Sequence, residues 1–169
     1  MPAPGGARWG MKLRAAVLGE QEALSRIAYE AKAVWGYSRK QLDRWRADLT
    51  ICAESLRTAP TLVAEIDGRV VGFCQIRADA LAPELGHLFV DPRHMRMGVG
   101  RALLRQALER LAAAGVDEVA IDADPHAEGF YAALGARRVG VLAAPIEGER
   151  LRARPQLRLR TAADRRPEP

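Results

Sequence analysis

The sequence predicts an α/β fold: a mixed, mostly antiparallel central sheet of about six to seven strands flanked by about four helices. Three observations carry this expectation. The chain has 169 residues, the size of one domain. It is 49% hydrophobic and 28% charged, an ordinary globular composition that excludes collagen-like, disulfide-rich and wholly disordered classes. Apolar periodicity also switches repeatedly between helix and strand spacing. The resulting order is strand, two helices, three strands, helix, strand, helix, two strands, a meander combined with βαβ-like crossovers.

Met1–Gly10 is rich in Pro and Gly, lacks periodicity and reads as a disordered leader, with Met11 a conceivable alternative start. Residues 12–17 form a short strand. Residues 20–33 carry Leu24, Ile27, Ala28 and Ala31 at helical spacing. After Trp35, Gly36 and Tyr37, Ser38 and Gln41 make a capping box for a second helix, with Leu42, Trp45 and Leu49 on one face. Thr61–Ile66 and residues 70–76 are a hairpin turned by Asp67-Gly68, a pair that tolerates positive φ at both positions.

The strand at 85–90 ends at Asp91-Pro92. Residues 98–114 form the strongest helix, with Val99, Leu103, Ala107, Leu108 and Leu111 on one face and Gly115 as its stop. A strand at 119–123 and a short helix at 127–134 follow. Residues 138–142 and 157–160 make the last two strands, the final one alternating Leu and Arg as an edge would. The globular domain is therefore placed at 11–161, with a disordered tail at 162–169.

A net charge of +5 raises the possibility of a polyanion partner, so its location matters. Up to Ala136 there are 17 basic and 17 acidic residues; from Arg137 onward 9 Arg face 4 acids. The excess sits outside the central motifs, and no aromatic residues interleave with it for base stacking, so no nucleic-acid partner is expected. No apolar run approaches the ~18 residues of a membrane span, and the first residues lack an apolar signal core. No membrane association and a cytoplasmic location are the expectations. Cys52 and Cys74 lack CxxC spacing and fit reduced thiols, Cys74 as a core residue. Three scattered histidines, His87, His94 and His126, give no metal-ligand cluster, and no metal is expected.

Two junctions carry chemistry. In Val90-Asp91-Pro92-Arg93-His94-Met95-Arg96-Met97-Gly98-Val99-Gly100-Arg101, a strand ends, a turn follows, and two glycines open a long helix. Helix N-termini offer unpaired N–H donors and the positive dipole end to phosphates, and glycine lets the backbone come close. The pattern is neither a Walker loop nor a dinucleotide fingerprint. The second junction, Asp122-Ala123-Asp124-Pro125-His126-Ala127-Glu128-Gly129-Phe130-Tyr131-Ala132-Ala133-Leu134-Gly135-Ala136, runs from a strand through a turn into a short aromatic helix.

Together these junctions resemble the GNAT superfamily of acetyl-CoA-dependent N-acetyltransferases. The first is similar to its pyrophosphate loop, Arg/Gln-x-x-Gly-x-Gly/Ala, with Met95 in place of Arg/Gln. The second is similar to its Asn-x-x-Ala-x-x-Phe-Tyr helix, with Asp124 in place of Asn. Asp accepts hydrogen bonds but, ionised, cannot donate as Asn does.

The resemblance implies a GNAT-like fold, acetyl-CoA as cosubstrate and a small-molecule or peptide amine as acceptor, attacked directly. Leu88, Phe89 and Val90 would pair with the pantetheine amides. Arg96, Met97, Gly98, Val99, Gly100 and Arg101 would surround the pyrophosphate, and Asp124 would border the pantetheine arm. Tyr131 falls on the general-acid position, Glu84 is the candidate base and His87 its rival. Trp35 and Tyr37 lie where the family lines its acceptor pocket. The alternative is a non-catalytic acyl-CoA-binding regulatory domain. A homodimer paired through the last strand is a further expectation.

Overall fold

A computed structural model describes residues 10–78 and 82–162. The expected leader and tail lie, apart from Gly10 and Ala162, outside these residues. The strands are β1 (Lys12–Ala15), β2 (Thr61–Ile66), β3 (Arg69–Arg77), β4 (Glu84–Val90), β5 (Glu118–Asp122), β6 (Arg137–Ala143) and β7 (Ala153–Arg160). The helices are α1 (Gln21–Ala33), α2 (Arg39–Arg44), α3 (Ala53–Thr58), α4 (Val99–Ala113) and α5 (Glu128–Ala133). The seven strands form one sheet in the order β1-β2-β3-β4-β5-β7-β6. It is mostly antiparallel, with a parallel β4–β5 step in register at Glu84↔Ala120 and Leu85↔Ile121.

The chain divides into two compact units. One is the chain up to Gln75 with His87–Leu104; the other is Ile76–Gly86 with the chain from Arg105 onward. In the first, Leu24, Ile27 and Ala28 of α1 pack against Leu49, Ile51, Val63 and Phe73 as a closed apolar cluster. This is the face the helical spacing predicts. The β2–β3 turn takes the expected geometry, Asp67 at φ 51° and Gly68 at φ 75°. Gly72 matters for a different reason. A Cβ there would lie 3.0 Å from the Phe89 carbonyl oxygen and 3.1 Å from a Val99 methyl, so a side chain would require β4 or α4 to give by a few tenths of an ångström, and glycine lets both pack closely on β3. In the second unit, cross-strand pairs Val119↔Leu159 and Ile121↔Leu157 bury all four side chains.

Three expectations need correction. The second helix ends at Arg44, not near Leu49. Trp45 leaves helical geometry at φ −89°, ψ 2°, and its N–H is shared between the Gln41 and Leu42 carbonyls. A fifth helix, α3, was not expected. Its N-cap is Cys52, whose sulfur accepts from Ser55 N–H at 3.4 Å, outside the usual Ser, Thr, Asp or Asn signal. No residue of α3 is buried, so it shows no apolar stripe.

The last strand is the third correction, because β7 lies between β5 and β6 and is not an edge. Its alternating Leu and Arg reflect one covered face. β7 also begins earlier than expected and contains Pro155. The Pro155 carbonyl accepts from Ala123 N–H, just past the end of β5, so the donor that proline lacks faces a position without a ladder partner. At that end of the sheet the edge strand is β6, with all seven residues exposed.

Candidate functional site

In the first unit, β4 leads directly into the loop that opens α4. Asp91 is 2% exposed and its carboxylate organises the turn. One oxygen accepts from Arg93 N–H at 2.9 Å and from Arg93 Nε at 3.1 Å; the other accepts from Arg93 Nη2 at 2.8 Å. These bonds, the Arg93 guanidinium foremost, hold the Asp91 carboxyl down at about 2. Arg26 of α1 stands 3.8 Å away and His94 Nδ1 3.9 Å. The Asp91 N–H is tied to the Val71 carbonyl at 2.8 Å, which fixes the loop to the sheet.

A short 3₁₀ turn, Pro92–His94, follows, and then two residues with left-handed backbone: Arg96 at φ 62° and Gly98 at φ 83°. The first α4 hydrogen bond is Ala102 N–H to the Gly98 carbonyl. The N–H groups of Val99, Gly100 and Arg101 therefore precede the helical ladder and point from its positive end. Gly98 has open space where a Cβ would stand, and the Arg96 and Arg101 side chains are exposed. This is an anion-binding geometry suited to a phosphate or pyrophosphate.

Upstream on β4, His87 lies among aromatic rings, 6.1 Å from Phe73 and 5.9 Å from Phe89 between centroids. Leu88, Phe89 and Val90 complete the strand and are half-buried. Beyond α1, Tyr37 is buried and Trp35 half-buried. Tyr37 meets Trp45 edge-on, 4.8 Å and 87° apart.

In the second unit, Glu84 opens β4, and Arg77 Nη2 donates to its carboxylate at 3.3 Å. At the end of β5, Asp124 caps a second 3₁₀ turn, Pro125–Ala127, by accepting from His126 N–H at 2.9 Å. His126 Nδ1 lies 2.9 Å from the same oxygen. The other Asp124 oxygen accepts from Arg152 Nη2 at 3.3 Å, in a pair whose side chains are each only 4% exposed. Both carboxylate oxygens thus serve the fold, and His126 is tied to Asp124 rather than simply solvated. Tyr131 on α5 is 7% exposed. Its ring meets Phe130 edge-on at 5.2 Å, and its carbonyl accepts from Leu134 and Ala136 N–H as α5 ends.

The residues expected at the pyrophosphate are thus contiguous around one helix start, while Glu84, Asp124 and Tyr131 fall in the other unit. Arg152 is a residue the sequence reading missed. It lies in an Arg-rich stretch where nothing local distinguishes a buried arginine from a solvated one. Cys74 is buried, and burial pushes its thiol up to about 12, as suits a core residue. Among the described residues no group of three or more His, Cys, Asp or Glu could hold a metal, and no helix is long and apolar enough to cross a membrane.

Comparison with known proteins adds independent findings. A family model described as an acetyltransferase (GNAT) domain matches residues 20–144. An L-2,4-diaminobutyric acid acetyltransferase of Nocardia farcinica is 31% identical over 132 residues, covering 75% of this chain and 64% of that protein. A GCN5-related N-acetyltransferase structure from Rhodopseudomonas palustris is similar over 87% of this chain and 93% of its own, with 26% identity and a TM-score of 0.70. A PaiA N-acetyltransferase from Thermoplasma acidophilum, solved with coenzyme A, shares the fold at 18% identity and a TM-score of 0.69, over 89% of this chain and 99% of its own. The chain spans between 19% and 64% of the length of the curated relatives it matches.

Proposed function

The chain belongs to the GNAT acetyltransferase family, and from that premise we propose that it transfers an acetyl group from acetyl-CoA to a primary amine by direct attack. The observation that carries this reading is the Met95–Arg101 loop, where two left-handed residues open a fifteen-residue helix straight after β4. In this reading the N–H groups of Val99, Gly100 and Arg101 hold the pyrophosphate. Met97 and Gly98 shape the approach, and Arg96 and Arg101 supply charge. The main chain of Leu88, Phe89 and Val90 pairs with the pantetheine amides as a short added strand. Asp124 contributes by anchoring the turn that leads to Tyr131.

The acceptor amine is protonated at neutral pH and must lose a proton before it attacks the thioester carbonyl carbon. Glu84 takes that proton, with His87 the competing base. The C–S bond then breaks, and the Tyr131 phenol protonates the departing thiolate. Trp35 and Tyr37 wall the acceptor. The diamino acid in the name of the Nocardia relative makes small diamines sensible first acceptors to assay, beside peptide N-termini. The implied compartment is the cytoplasm, and a homodimer joined through a sheet edge would use β6.

The deciding experiment is thiol release from acetyl-CoA across a panel of amines and peptide N-termini. Release with at least one amine supports the reading. Tight CoA binding with no release across the panel replaces it with a non-catalytic CoA-binding domain. Tyr131→Phe is expected to lower turnover about 100-fold while CoA affinity stays nearly unchanged; equal turnover removes the assigned role. For the base, loss of the acidic limb of the pH–rate profile in Glu84→Gln but not in His87→Gln selects Glu84.

A further inference from the structure

The end of α1 carries a feature that the acetyl-transfer reading does not require. Lys32 sits in the last helical turn, and its ammonium lies over three aromatic rings: 4.9 Å from the centroid of Trp45, 5.5 Å from Trp35 and 5.7 Å from Tyr37. Tyr37 and Trp45 stand at 87° to each other, so two walls form a corner and Trp35 supplies a third face. The rings come from separate pieces of chain, the loop after α1 and the residue that ends α2. The C-terminus of α1, where the carbonyls of Ala31 and Lys32 accept from the N–H groups of the capping turn, adds the negative end of a helix dipole.

We propose that Trp35, Tyr37 and Trp45 form a binding site for an alkylammonium group, with Lys32 its resident stand-in. Each π face attracts a cation, and the attraction grows as the cation is desolvated. A lysine ammonium is compact and strongly hydrated, so it gives up much hydration to enter the cage. A methylated ammonium has the same charge and weaker hydration. Exchanging the two returns Lys32 to water on its flexible four-carbon stem and places the weakly hydrated cation against the rings. Lys32 competes from its tether, which lowers apparent affinity for a free ligand by the fraction of time it occupies the cage. Resting on the reading of this loop as the acceptor wall, the site makes the acceptor a molecule with a cationic group besides the amine that reacts.

The probe is tetramethylammonium chloride, titrated against the full chain without acetyl-CoA at constant ionic strength. Trp9→Phe serves as the background, leaving Trp35 and Trp45 as the two tryptophan reporters. A saturable fluorescence change is expected, with apparent affinity raised about tenfold in Lys32→Met. It should be lost in Trp45→Leu. Lys32→Gln replaces Lys32→Met if the latter does not fold, and the wild-type titration stands alone if neither does. An equal response to tert-butanol, the neutral analogue, or no saturable change in wild type and Lys32 variants alike, overturns the site. A separate turnover comparison of a diamine with its monoamine analogue tests the link to the acceptor. Cage binding without thiol release from any amine would sink the acetyl-transfer reading and leave the cation site intact.

Discussion

Two Asp-Pro turns, one in each unit, start from the same local device and end in different structures. Asp91-Pro92 and Asp124-Pro125 both place a buried aspartate at the N-cap of a three-residue 3₁₀ turn. In each, the carboxylate accepts from the N–H two residues on at 2.9 Å. They differ in what meets the second oxygen. At Asp91 the hydrogen bond comes from Arg93, within the same turn and 70% exposed, with Arg26 of α1 farther off at 3.8 Å; at Asp124 it comes from Arg152, 28 residues away and 4% exposed. The first turn passes through left-handed Arg96 and Gly98 into fifteen residues of helix, which exposes main-chain donors. The second runs straight into a six-residue helix and sets a buried side chain, Tyr131. The carboxylate of the first turn is closed mainly from within, whereas that of the second is closed from a distance and ties the residue before β7 to the turn.

The sharpest way to break this contrast is Arg152→Ala. It leaves the Asp124 charge buried without its guanidinium, and a loss of about 3 kcal/mol or more is expected in urea unfolding. A loss below about 1 kcal/mol would mean that the distant closure is unimportant. Acid titration reads the other turn. The Asp91 carboxyl is depressed to about 2 from an ordinary value near ~3.9, so its contribution is complete above about pH 4. That contribution fades as pH falls toward 2. Its size is about 2–3 kcal/mol, and an acid-unfolding curve for Asp91→Asn should lack this limb.

Gly98→Ala forces a side chain into a left-handed position, which costs about 1 kcal/mol of stability. Under the proposed function it also weakens CoA binding, read by calorimetry. Unchanged CoA affinity would separate the loop's backbone geometry from anion binding. Arg93→Ala should cost least, under about 1 kcal/mol because the guanidinium is exposed. It should nevertheless move the Asp91 limb of the acid curve upward, by less than about one pH unit to match that cost, and an unmoved limb would assign the depression to other neighbours.

Much of the architecture was legible in residues close together in the chain. The α1 stripe of Leu24, Ile27, Ala28 and Ala31 faces the core as its spacing predicts. The Ser38 hydroxyl accepts from Gln41 N–H, and the Asp67-Gly68 pair takes positive φ at both positions. These signals work within four residues, where capping, turn strain and helical periodicity are set. The helix-opening loop was legible for the same reason, since glycine placement and a strand-to-helix switch are local. α3 was not, because a cysteine cap and a six-residue helix that packs Leu56 against the core without a buried stripe leave no such trace.

What only the tertiary structure decided depends on which distant surfaces meet. An alternating Leu-Arg strand looks the same at an edge or between two neighbours, and burial of one face produces that pattern in either place. Pairing put β7 inside the sheet and left β6 at its end. Arg152 became a buried partner of Asp124 because the β6–β7 hairpin returns beside the second turn, and charge alone carries no record of that. Trp45 reads from its spacing as a core residue, and it does pack against the α1 cluster. That its ring also closes a cage over Lys32 follows from where α2 stops, a choice made by packing rather than by helix propensity.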